Sequence, residues 1–125
     1  MNFSANLIAG WSGFLAGAVT GALMGLCFHR ENWLGGYGSF PRRMLRLGHI
    51  ACFGLGLINI LFALTAATLP ASPLTTASSI LLVVGMITMP TTCFLTSWKK
   101  PFRHFFFIPA GSTLVGIGCL LFCFK

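Results

Sequence analysis

The sequence predicts an all-α fold: a single integral membrane domain, residues 1–125, arranged as a four-helix up-and-down bundle. Three observations predict it. The 125 residues are 56% hydrophobic and only 7% charged, whereas a soluble domain is about a quarter charged. Four apolar segments without a carboxylate, at about 7–28, 44–66, 77–98 and 105–124, each reach the roughly 20 residues that a spanning helix needs. The connectors between them are short, which places consecutive helices as antiparallel neighbours.

The first segment is too long for the apolar core of a signal peptide, and no basic residues precede it, so it reads as a retained span. Its stretch GFLAGAVTGALMG sets Gly13, Gly17, Gly21 and Gly25 four residues apart, and Ala5 and Ala9 extend the step backwards. Ser12, Ala16 and Thr20 run alongside. Each glycine costs about 1 kcal/mol of helix propensity relative to alanine. In lipid that cost goes with close backbone approach, because apolar burial gives little contrast with acyl chains. The strip is therefore expected to pack on another helix of the chain, on a second copy, or on another membrane subunit. A flat cofactor lying against the strip is the competing expectation.

In the second segment His49, Cys52, Gly56 and Asn59 follow an i, i+3, i+7, i+10 spacing and share one face. That face is expected to look into the bundle, with Asn59 as an interhelical hydrogen-bonding residue. Gly48, Gly54 and Gly56 give this segment a weaker set of small residues, as Gly111, Gly116 and Gly118 do for the fourth. In the third segment Pro90 removes a backbone donor and predicts a kink, with Thr88, Thr91 and Thr92 near enough to serve the local backbone. Gly35, Gly36, Gly38 and Pro41 mark the first connector as a loop, and Pro70, Pro73 and Pro101 are expected to stop helices.

Charge sets the threading. Arg30, Arg42, Arg43 and Arg46 lie in or beside the first connector, and Lys99, Lys100 and Arg103 in the third. Seven of the eight basic residues thus fall at one end of the bundle; Lys125 is the exception. The positive-inside rule assigns that end to the cytoplasm, with both termini outside. Trp33, Tyr37, Trp98 and Phe105 to Phe107 cluster there as an aromatic belt. Membrane lipids are an expected partner, since basic residues at a surface attract anionic headgroups. Nucleic acid is not, because the basic loops are too short to form a recognition module. The composition fits a bacterial inner-membrane protein.

Candidate chemistry is sparse. The chain has one carboxylate, Glu31, so paired-carboxylate catalysis and a carboxylate proton relay are excluded within it. Its five cysteines all fall in expected spans, and no CxxC pairs them for zinc or a c-type haem. No metal site is expected. His29, His49 and His104 all map near the basic end. Two of them could ligate a b-type haem, with Arg42, Arg43, Arg46 or Arg103 holding its propionates. The same arginines suit an anionic headgroup, and His49 with Arg46 a quinone. Glu31 is placed to pair with Arg30, Arg42 or Arg43.

Three functional classes follow. The first is a non-catalytic membrane subunit or interaction protein, such as an accessory subunit of a respiratory or other energy-transducing complex. The second is a haem b electron carrier using two of the three histidines. The third is an oligomeric channel or small-molecule permease.

Overall fold

The computed structural model describes residues 3–124. Four helices carry the chain: α1 (Ser4–Cys27), α2 (Phe40–Ala66), α3 (Pro73–Trp98) and α4 (Phe107–Phe122). A tight 3-10 segment, Lys100–Phe106, leads directly into α4. All four spans are long and apolar enough to cross a bilayer, and the chain is an all-α integral membrane protein. Met1, Asn2 and Lys125 lie outside the described residues.

The helix starts differ from expectation, and capping explains the difference. Pro41 opens α2 instead of belonging to the loop, and Pro73 opens α3 instead of ending a helix. In both cases a serine stands before the first turn. Ser39 Oγ accepts from Arg42 N at 3.4 Å, and Ser72 Oγ accepts from Thr75 N at 3.1 Å. Serine at the cap and proline in the first turn form a start signal, because the N–H that proline lacks would have no helical partner there. The fourth span begins as a 3-10 segment because Pro101 and the short connector demand a tighter turn.

The helices pack in chain order, each mainly against its sequence neighbours: α1 on α2, α2 on α3, α3 on α4. α1 also touches α3, while among the described residues α1 and α4 share no extensive contact. The bundle is therefore an open row with α1 and α4 at its ends.

The α1–α2 seam is built on missing side chains. A Cβ on Gly10 would stand 2.7 Å from the Gly56 carbonyl, and a Cβ on Gly56 would stand 2.9 Å from the Gly10 carbonyl. Below this crossing, Gly17 receives the Phe53 ring and Gly21 the His49 ring, each 2.6 Å from the position a Cβ would take. Gly13 accommodates Met86 of α3 as well as the Cys52 carbonyl. Gly25 has open space instead. The seam runs Asn6, Gly10, Gly13, Gly17, Gly21, Met24, not in strict steps of four. A four-residue step turns about 40° past a full revolution, so Ala5 and Gly25 cannot share one face. Gly48 meets Phe94 and Cys93, and Gly116 meets Leu81 and Leu82, whereas Gly54, Gly111 and Gly118 are open.

A buried polar node ties α1, α2 and α3. Asn6 and Asn59 are both fully buried. Asn6 Nδ2 donates to Asn59 Oδ1 at 2.8 Å and to the Ser79 carbonyl at 3.2 Å. Ser79 Oγ donates back to Asn6 Oδ1. Asn59 Nδ2 donates to the carbonyls of Leu55 at 3.0 Å and Leu82 at 3.1 Å. Both amides are thus satisfied in a setting where an unpaired one would be costly. Next to the node, Phe62, Ala66 and Leu82 form an apolar core that Phe3 and Ile117 flank. α3 and α4 are joined by Ser78 Oγ donating to the Gly116 carbonyl at 2.7 Å.

Pro90 does not interrupt α3, which runs as one helix from Pro73 to Trp98. Thr88 Oγ1 donates to the Val84 carbonyl at 2.7 Å and Thr91 Oγ1 to the Ile87 carbonyl at 2.6 Å. These back-bonds engage carbonyls in the turns around the proline.

Candidate functional site

The structure distributes the sequence-predicted residues over two places: the basic end, and the helix seams beneath it. At the basic end the first connector is folded around Arg42. This arginine is only 6% exposed. Its guanidinium lies over the rings of Phe28, Trp33 and Tyr37, with centroid distances of 5.9, 5.4 and 5.7 Å. Its Nη1 donates to the backbone carbonyl of Glu31 at 3.1 Å. Arg42 thus meets the Glu31 main chain, in place of the carboxylate ion pair expected from the sequence. A planar cation that stacks on several aromatic faces can be buried without a carboxylate.

The loop chemistry makes this possible. Leu34, Gly35 and Gly36 all take positive φ, 52°, 87° and 92°. The two glycines adopt this region without steric cost. The chain therefore reverses sharply within the Trp33–Gly35 3-10 turn and lays Trp33 and Tyr37 around the helix α2 start. Arg46, one turn on, donates from Nη1 to the Tyr37 carbonyl at 3.0 Å and stacks on that ring at 4.1 Å. Arg43 and Arg103 are exposed. Lys100 reaches across to α2, its ammonium 5.6 Å from the Phe40 ring centroid. The first and third connectors therefore meet at the same end of the bundle.

The three histidines are not brought into one site. His29 is exposed just past α1, with Nδ1 2.9 Å from the Leu26 carbonyl. His104 is exposed in the 3-10 segment before α4. His49 is half-buried in the α1–α2 seam. There Nδ1 lies 3.3 Å from Thr20 Oγ1, which is itself 2.8 Å from the Ala16 carbonyl. His49 also packs edge-to-face on Phe53 at 5.2 Å, the last contact of a ring series that runs from Trp11 through Phe14. Four principal cavities lie in the helix seams, and no histidine lines any of them. A macrocycle held by two of these histidines has no preformed slot among those cavities. Among the described residues no group of three or more His, Cys, Asp or Glu is placed to hold a metal ion.

The largest of these cavities, about 500 Å³, lies between α1 and α3. Ala5, Ala9, Ser12 and Ala16, with Ile8 and Gly13, line it from α1, and Val83, Met86, Pro90 and Phe94 from α3. A second cavity of about 280 Å³ continues the cleft towards the basic end, from Thr20 to Cys27. Phe94 borders both. The small residues of α1 are thus divided. Gly10, Gly17 and Gly21 pack on α2, whereas Ala5, Ala9, Ser12 and Ala16 face the cleft, which Gly13 borders as well.

Sequence reasoning missed Asn6, Ser79 and Gly10, and the burial of Arg42. Asn6 fell just before the expected start of the first span and read as tail. Gly10 lies off the four-residue step, although an a/d-type spacing through residues 6, 10, 13 and 17 would have found it. No protein family, curated protein or solved structure matches the chain.

Proposed function

We propose that the chain is a small non-catalytic subunit of a membrane assembly and docks to its partner through the α1–α3 cleft. One observation carries the reading: the edge of Ala5, Ala9, Ser12 and Ala16 lines a cleft of about 500 Å³ that no helix of the chain fills. Small residues let a partner backbone come close, and in lipid this contact is a main source of helix association. A partner helix docked on it is expected to cross α1 at the roughly −40° usual for such surfaces. An accessory subunit of an energy-transducing complex in a bacterial inner membrane is the finer form of the proposal. The identity of the co-purifying proteins decides it.

The test is affinity capture of the full chain in mild detergent, followed by mass spectrometry. A stoichiometric membrane partner is expected with the wild type. It is lost with Ser12→Trp, which fills the cleft, while the thermal melt of the isolated chain is unchanged. Capture undiminished by Ser12→Trp, or a chain that purifies alone, overturns the proposal. A Soret band in the pure protein would instead support the haem carrier, and solute flux in liposomes the permease.

A further inference from the structure

We infer that the basic-end cavity between α1, α2 and α3 is a binding site for one anionic glycerophospholipid, its acyl chain in the cavity and its phosphate at the rim. The cavity holds about 280 Å³ and is walled by apolar side chains, among them Leu23, Met24, Leu45 and Phe94. From Thr20 to Cys27 it follows about 10 Å of α1, which lies within one leaflet. Its roof is Trp33.

The rim is cationic and built from consecutive turns. Arg30 N donates to the Cys27 carbonyl at 3.2 Å, and Trp33 N to the Arg30 carbonyl at 3.1 Å. Exposed Arg30 therefore falls, along the chain, between Cys27 and Trp33, two residues that line the cavity. On the opposite wall, Trp98 follows Phe94 by one helical turn, and the Lys99 ammonium lies over its ring at 4.7 Å. The Arg42 guanidinium lies over the Trp33 ring at 5.4 Å. With eight basic residues against one carboxylate in the whole chain, Glu31 beside Arg30 cannot balance the positive charge gathered at this end. Arg30 and Lys99 are exposed, and the wall below them is apolar. A lipid phosphate with its chain satisfies both halves at once. This inference does not depend on a protein partner.

The test uses the full chain in mild detergent with an equimolar mixture of phosphatidylglycerol and phosphatidylcholine of identical acyl chains. Native mass spectrometry reads the bound ratio. Wild type is expected to retain phosphatidylglycerol preferentially, and Arg30→Gln or Lys99→Gln to reduce the preference roughly fivefold each. Cys27→Trp, which occupies the cavity, is expected to lower retention of both lipids. Arg103→Gln, on the α4 side of the basic end, is expected to leave the ratio unchanged. Equal retention of the two lipids by wild type overturns the inference. So does an Arg103→Gln effect as large as that of Arg30→Gln, or displacement of the lipid by inorganic phosphate alone.

Discussion

Gly10 and Gly56 exclude each other's side chains. Each lacks a Cβ that would stand within 3 Å of the other's carbonyl oxygen, at 2.7 and 2.9 Å. The obstacle is backbone on both sides, so neither residue can be enlarged by a rotamer change nearby. Gly56→Ala is therefore expected to destabilise the fold by about 1–3 kcal/mol. Gly25→Ala and Gly54→Ala, where space is open, are expected to be neutral or to stabilise by up to about 1 kcal/mol through helix propensity. Reversible unfolding in a mixed-micelle denaturant titration compares the three. Equal effects at positions 56 and 54 would remove close packing as the reason for the seam.

The Asn6–Asn59 pair predicts non-additivity. Truncating either amide leaves the other's donor or acceptor buried, at a cost of about 1–3 kcal/mol. Asn6→Ala and Asn59→Ala should each show that loss, and the double variant clearly less than the sum. The same unfolding titration reads the cycle.

Arg42 and Arg43 are neighbours with opposite expectations. Arg42→Lys keeps the charge but loses the planar group that covers three rings. It is expected to loosen the first connector, seen as a red shift in Trp33 emission and faster proteolysis between residues 30 and 38. Arg43→Lys, at an exposed position, should change neither.

The threading makes a prediction that needs no purified protein. Cysteines introduced at positions 30 and 100, in a background lacking native cysteines, should react with an impermeant maleimide from the same face of the membrane. One at position 70 should react from the opposite face. Labelling of 30 and 100 from opposite faces would overturn the antiparallel arrangement.

The spans were legible because composition alone forces them: so few charges cannot cover a water-exposed surface. Their starts were less legible, since Pro41 and Pro73 read as breakers until Ser39 and Ser72 are seen to cap the turns they open. The shared face of His49, Cys52, Gly56 and Asn59 was visible from spacing, and in the structure all four positions border α1. The seam on α1 was harder to see. Fixed steps of four catch the eye in a sequence, yet a helix of 3.6 residues per turn carries them around its axis. The burial of Arg42 had no sequence signal, because arginine is almost never buried without a partner. Here the partners are three aromatic rings and the Glu31 carbonyl, with Tyr37 turned back towards Arg42 after the reversal at Gly35 and Gly36.

The open row also dictates an order of events as the chain leaves the insertion machinery. α1 and α2 can settle together as soon as both are in the bilayer, since Gly10, Gly17, Gly21 and Gly56 meet only each other's helices. The Asn6 amide then has one companion and still lacks the Ser79 groups, 73 residues downstream. Only when the third span arrives is that amide fully served. The first hairpin is thus held in a provisional state, and arrest of synthesis before residue 79 should leave it susceptible to quality-control proteases that the finished protein resists.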